Sequence, residues 1–271
     1  MSDVCILQDL ADGVLLITWN RPDRHNGWTV DLEEQYFGAL LDAAANPDVK
    51  VIVVTGAGRS FCPGLDMQVL SDSSSTGKPM ADRRRWPMTM VRNIPKPVIA
   101  AVNGAAAGIG FIQAVACDLR FAASTAKFTT AFARRGLPAE NSISWLLPRL
   151  VGAGVAADLL LSARVVTADE AFSLGLVNRV VAPEDLLPVT LDYARDMAAN
   201  CSPGSMAMIK QQLAADMSRT SEESRLQALV AVGELTGLPD FDEGVQSYRE
   251  KRAPNFAGLC AHPHVPKAWY R

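Results

Sequence analysis

Three features of this 271-residue sequence predict an α/β fold. Two strand candidates built on apolar runs, VKVIVVTGAG and PVIAAVNG, each end in a glycine-bearing turn. The second continues through a small-residue helix, GIGFIQAVA, into another strand, DLRFAA. Beyond residue 140 the pattern turns mostly helical. Strands without a polar face belong to parallel sheets covered on both sides, and parallel neighbours need right-handed crossovers.

VLLITWNRP is β-rich and stops at a proline, as a strand entering a loop does. Asp31 and Glu34 form a capping-box pair; Tyr36, Phe37, Leu40, Leu41 and Ala44 follow at helical spacing until Asn46-Pro47 ends the helix. SDSSSTGK, small and polar, is expected to be a mobile surface loop. Thr167 with Glu170 is a second capping-box pair, Gly175 a helix stop and VNRVV a β-branched run, after which Pro183 suits the first position of a helix. MAMIKQQLAADM, RLQALVAVGEL and FDEGVQSYREKR are three more helix candidates. With no tandem repeat and no long linker, the chain reads as an α/β core over residues 1–200 and a helical C-terminal subdomain over 201–271.

Composition narrows the function. Hydrophobic residues make up 49% and charged residues 20%, enough for one large globular domain or one with a smaller appendage. A net charge of −3 supplies no basic field for a phosphate polymer, so nucleic acid is not expected as a partner. Cys5, Cys62, Cys117, Cys201 and Cys260 are odd in number and scattered without a C-x-x-C pair, which reads as reduced and cytoplasmic. The start, MSDVCILQDLADG, carries acids where a signal peptide carries bases, and no apolar run approaches the ~20 residues of a membrane span. His25, His262 and His264 lack supporting Cys or carboxylate spacing, so no metal site is expected.

The glycine-rich turns carry the functional signal. VVTGAGRSF begins like a dinucleotide fingerprint but has Phe61 at the third glycine position, and Pro63 would interrupt the required helix. No Gly-Lys-Ser/Thr ending and no G-x-S-x-G elbow occurs. Two apolar strands that each end in such a turn can leave backbone N–H groups unpaired, and two turns converging would stabilise a developing enolate oxygen. Tight packing turns account for the same residues equally well.

SFCPGLDM together with AAVNGAAAGIG resembles the crotonase superfamily, the enoyl-CoA hydratase/isomerase family. The likeness covers nearly the whole chain: WNRPDRHNGWT, VVTGAGRSFCPGLDM, AAVNGAAAGIGFIQAVACDLRFAA, LLLSARVVTADEAFSLGLVNRVV and EGVQSYREKRAPNF are similar to its landmarks in order. The resemblance implies a crotonase-like spiral of ββα units with helical C-terminal trimerisation. It also implies a homotrimer or dimer of trimers, an acyl-CoA thioester as substrate, and no cofactor beyond the coenzyme A of that substrate. By position, the backbone N–H groups of Leu65 and Ile109 would hold the thioester oxygen. Arg24, Asn26, Cys62, Pro63, Gly64, Asp66, Gly108 and Phe132 would lie around the substrate. Arg24 could meet a phosphate or stay solvated, and Arg83 to Arg85 could do either as well.

The departures matter as much. Typical hydratases of the family use two glutamates, and here their positions hold Ile112 and Phe132. Glu140, in LPAENSISWLLPR, falls where dienoyl-CoA isomerases and phenylacetate-pathway ring-epoxide isomerases carry a catalytic aspartate. One carboxylate beside a polarised thioester suffices to move a proton between two carbons. The resemblance therefore implies isomerisation rather than two-acid hydration. Capping before Asn141 is the other reading of Glu140. A non-catalytic acyl-CoA-binding protein and an acyl-CoA hydrolase are the alternatives for the whole chain. Glu243 belongs to the C-terminal helix and is expected to be structural.

Overall fold

A computed structural model describes residues 4–76 and 86–259. Strand β1 (Ile6–Ala11) turns at Asp12-Gly13, both with positive φ, and pairs antiparallel with β2 (Val14–Trp19). An Asp-Gly pair is the usual chemistry of such a two-residue hairpin. After helix α1 (Val30–Ala45) come β3 (Val51–Gly56), the short β4 (Ser60–Cys62) and α2 (Met67–Thr76). The same sequence of strand, short strand and helix recurs as β5 (Val98–Val102), β6 (Ala105–Ala107) and α3 (Ile109–Ala116). A third pass begins with β7 (Leu119–Ala123) and β8 (Lys127–Thr129) and continues into α4 (Ile143–Val151) and α5 (Ala153–Ser162). Then follow β9 (Val166–Thr167), α6 (Ala168–Ser173), β10 (Arg179–Val181) and α7 (Leu186–Asn200).

The long strands form a six-stranded sheet in the order β1-β2-β3-β5-β7-β10, parallel from β2 onward. The short strands form a second sheet, β4-β6-β8-β9. Each turn of the chain thus lays one strand in either sheet before a helix closes it, which is the ββα spiral.

Both faces of the main sheet are covered, as its apolar strands require. Ile52, Val54, Val98, Ala100 and Val102 face a core that includes α1 and α3, while Val51, Val53, Ile99, Ala101 and Phe121 face α7. Each fully buried Val or Ile contributes about 1.5–3 kcal/mol. Trp19, Trp28, Tyr36, Phe37 and Phe61 interlock with ring centroids 4.5–6.2 Å apart, fastening α1 to the loops that follow β2 and β3.

Three local expectations are corrected. Thr29, not Asp31, caps α1, accepting from Leu32 N–H at 3.3 Å; Asp31 instead sits in the first turn, where a negative charge favours the helix dipole. Ser71–Thr76 of the expected loop complete α2, and Gly77 and Lys78 lie outside the described residues. Thr167 does cap α6, but Glu170 spends its carboxylate on Arg164 at 2.7 Å and not on a reciprocal bond.

Helices α8 (Pro203–Ala215), α9 (Ser221–Leu235) and α10 (Pro239–Glu250) finish the chain. The full capping box lies here, between Thr220 and Glu223. Glu243 is held by Arg252 at 2.6 Å and by Asn255 N–H, which draw its carboxyl down to about 2 and tie the following segment to α10. Among the described residues no helix is long and apolar enough to cross a membrane.

Candidate active site

The first loop of the site leaves β4 through Pro63-Gly64-Leu65-Asp66. Trp28 forms an isolated parallel bridge with Leu65: its N–H donates to the Gly64 carbonyl at 2.8 Å, and its carbonyl accepts from Asp66 N–H at 3.0 Å. In a parallel bridge of this kind the central residue's own N–H faces the other way. The Leu65 N–H finds no acceptor among the described residues. Arg21 reinforces the bridge, pairing with Asp66 at 3.1 Å and donating to the Gly27 carbonyl. Asp66 Oδ1 also accepts from Gln68 N–H at 3.0 Å at the start of α2.

The second loop leaves β6, which lies beside β4 in the same sheet, so the two loops emerge next to each other. Gly108 takes φ 52° and ψ −116°, a conformation open to glycine, and stands at the N-cap of α3 without any side-chain cap. Its N–H donates to Thr129 O at 3.2 Å, leaving Ile109 N–H as an orphan donor at the helix start. All eight residues of α3 are buried, while Gly108 ahead of it is half-buried. A methyl placed on Gly108 would lie 3.8 Å from Gly64 Cα, so the loops touch at their glycines.

The acid follows on the next turn. Past β8 the chain reverses at Ala131 (φ 62°), buries Phe132, makes one 3-10 turn at Ala133–Arg135, and reaches Glu140. Asn141 and Ser142, both with positive φ, then start α4. Glu140 is half-buried; its Oε2 accepts from Asn141 Nδ2 at 3.4 Å, and no cation pairs with it among the described residues. Its carboxylate does not cap α4, whose N-cap is Ser142 with no side-chain bond. Phe132, Ile143, Leu146 and Leu147 share one core cluster with Ile109 and Ile112, and Leu65 and Ala139 pack on its edge.

The sequence model of the enoyl-CoA hydratase/isomerase family matches residues 9–259. The chain belongs to that family. This hydratase/isomerase-family enzyme is 37% identical over 252 residues to a probable enoyl-CoA hydratase of Mycobacterium tuberculosis, covering 89% of this chain and 88% of that protein. It is 33% identical over 259 residues to the 1,2-epoxyphenylacetyl-CoA isomerase of Escherichia coli, covering 93% and 98%. Among solved structures, a probable enoyl-CoA hydratase/isomerase from Mycobacterium abscessus matches with a TM-score of 0.86 at 32% identity, over 94% of this chain and 99% of that one. An enoyl-CoA hydratase from Mycobacterium marinum matches with a TM-score of 0.69 at 48% identity, over 80% and 100%.

Within this family member, several expected side chains take other work. Asn26 is fully buried: its Oδ1 accepts from Arg21 N–H at 2.9 Å, and its Nδ2 donates to Ala57 O and Ser60 O at 3.0 and 2.7 Å. Its side chain therefore braces the segment at Arg21 against the turn between β3 and β4. Cys62 is also fully buried, with its thiol pushed up to about 12 by that burial. Arg24 and Pro63 are exposed, and Arg83 to Arg85 lie outside the described residues. Ile112 and Phe132 are 0% and 5% exposed and offer no proton. Arg21 and Trp28 were missed by sequence reasoning, although the N-R-P segment that holds Arg21 was visible. Among the described residues no three His, Cys, Asp or Glu side chains gather in a way that could hold a metal ion.

Proposed function

We propose that this enzyme isomerises an unsaturated acyl-CoA thioester, with Glu140 as the one proton carrier and the N–H groups of Leu65 and Ile109 holding the thioester oxygen. The observation that carries the reading is a half-buried carboxylate without a cationic partner among the described residues, next to Ala139, which packs on the core that carries Ile109, while Ile112 and Phe132 are apolar. In a 3-enoyl thioester, Glu140 takes a proton from the α-carbon. The electron pair moves into the thioester carbonyl to give a dienolate, and Glu140 returns the proton to the γ-carbon, leaving a 2-enoyl product. Atoms and charge balance with no added reactant. Each backbone donor at such an oxygen is worth ~3 kcal/mol, and the α3 dipole adds to it.

Glu140→Gln tests this: acyl-CoA binding should persist while exchange of α- and γ-protons with D₂O is lost. Exchange at the parent rate in the variant overturns the role of Glu140. Hydration is the second reading, favoured by the name of the Mycobacterium tuberculosis relative. A panel of 2-enoyl-, 3-enoyl- and dienoyl-CoA esters separates the two, since added water changes product mass and isomerisation does not.

Association and location belong to the same proposal. Helices α8 to α10 expose Leu213, Leu226, Leu229, Val232, Phe241 and Tyr248, an apolar surface that supports trimers or dimers of trimers built by residues 201–271 around the 1–200 core. Cys62, Cys117 and Cys201 are free thiols, which supports a cytoplasmic location.

A further inference from the structure

A cavity of about 290 Å³ opens at the opposite end of α3 from Ile109, which the rise of an eight-residue helix puts about 12 Å away. Its wall comes from α3, α4, α8 and the segment around Arg92, and it carries four cations, Arg92, Arg120, Arg149 and Lys210, against the single carboxylate of Asp118. Lys210 and Asp118 cancel each other at 2.7 Å. Lys210 Nζ spends its remaining donors on Val91 O and Lys96 O, and Asp118 Oδ2 takes a further bond from Val98 N–H. The three guanidinium groups form no close ion pair among the described residues, and the one carboxylate that acts on Arg92 and Arg120 from farther off is this same Asp118.

Each of the three has donors to spare. Arg120 is 4% exposed; its Nε donates to Leu176 O, its Nη1 to Cys117 O and Ala114 O, and its Nη2 has no acceptor among the described residues. Arg92 directs Nη2 at the Met217 thioether, a weak acceptor, and lies 5.6 Å from the Trp145 ring. Arg149 stacks 4.2 Å from the same ring, and of its five donors only Nη1 is used, on Trp145 O. Both guanidinium groups thus lie against the ring of Trp145 and also contribute to the cavity wall. Burial opposes the charge of both Arg92 and Arg120, the nearby Asp118 offsets it only in part, and an anion would relieve the rest. The other titratable group on the wall, Cys117, stays a neutral thiol.

We infer that this cavity is a binding site for a small oxyanion of the phosphate type, held by Arg92, Arg120 and Arg149. Planar guanidinium forks match tetrahedral oxyanions through paired charge-assisted bonds, and the cavity is too small for a nucleotide. The assignment does not depend on the chemistry given to Glu140.

The test is calorimetric titration of the purified enzyme with inorganic phosphate, with ionic strength matched by chloride. Saturable binding is expected, weakened about tenfold or more in Arg92→Gln and in Arg149→Gln, the loss of one charge-assisted bond. Arg149 is exposed, so its variant keeps the fold, to be verified by circular dichroism. A second titration in saturating coenzyme A tells the source. Undiminished phosphate binding marks a free oxyanion, and competition marks a phosphoryl group of coenzyme A; either supports the site. No saturable binding of phosphate, or binding undiminished in both variants, overturns it.

Discussion

Replacing Gly110 by alanine would drive a methyl group into the loop that carries Leu65. Built on the backbone, that methyl sits 2.8 Å from both the carbonyl carbon and the Cβ of Cys62, and nearer still to the Cys62 carbonyl oxygen. Carbon atoms in ordinary contact lie at about 3.5–4.0 Å, so α3 and β4 must part by about 1 Å. Gly110 follows Ile109 and Cys62 stands three residues before Leu65, so the displacement opens the gap between the two proposed donors. Overpacking of this kind costs about 1–3 kcal/mol, which at ~2–4 °C per kcal/mol lowers Tm by several degrees. A misplacement of about 1 Å at reacting groups costs about 100-fold in rate. The assay is kcat and KM on the best enoyl-CoA from the substrate panel, well below the variant's Tm. The expected result is kcat/KM down about 100-fold, with most of the loss in kcat, because a donor lost from the oxyanion matters most in the transition state. Parent kcat with a lowered Tm would refute the use of both N–H groups at once. Parent kcat with an unchanged Tm would refute the close approach itself.

Gly38 supplies the contrast: a methyl there meets nothing within 4 Å on α1, so Gly38→Ala should raise stability by about 0.5–1 kcal/mol in urea unfolding and leave turnover unchanged. Asn26→Ala removes three side-chain hydrogen bonds, one of them fully buried, at a residue with φ 61°, and about 1–3 kcal/mol of stability should go with them, read from the same unfolding curves. Burial holds the Cys62 and Cys117 thiols protonated, raised from 9.0 to about 12, so the folded chain keeps protons that the unfolded chain releases. Their contribution is intact below about pH 9 and is lost as pH climbs toward 12, so Tm should fall across that window, measured by calorimetry. At pH 8, alkylation of the native chain should mark the exposed Cys201 and spare Cys5, Cys62 and Cys117 until denaturant is added; labelling of Cys62 in the native state would contradict its burial.

Much of the main sheet was legible because its strands are covered on both faces. VIVV and VIAAV contain no polar residue to suggest any alternative, and α1, ahead of the first of them, keeps a clear period. The second sheet was not legible. Its strands have two or three residues each, SFC, AAA, KFT and VT, too short to show a period, and their pairing is set by the spiral. β1 escaped for another reason: it is an edge strand with five of six residues outside the core, and ILQDLA reads as ordinary surface. The polar run after Met67 read as a loop from composition, yet Asp66 offers its carboxylate to the first turn of α2 through Gln68 N–H, and a cap of that kind favours helix over loop even in serine-rich sequence.

The site divides along the same line. Residues proposed to act through side chains announce themselves by type, which is why Glu140 could be singled out among 29 acids once Ile112 and Phe132 had been matched to the positions that lack one. Residues that act through backbone leave only the glycines that make their geometry possible. Those that hold the backbone in place leave less still. Asn26 and Cys62 sit inside matched motifs and so were assigned to the substrate, whereas burial turns both inward, Asn26 onto Ser60 and Ala57 and Cys62 onto the Gly64 carbonyl. Arg21, from the same segment, holds Asp66 and Gly27 on either side of the Trp28–Leu65 bridge. A motif that a ligand-centred reading treats as contact is then, residue by residue, the frame that fixes where one unpaired N–H points. Loss of such a frame residue should lower stability and turnover together, whereas loss of Glu140 should lower turnover alone.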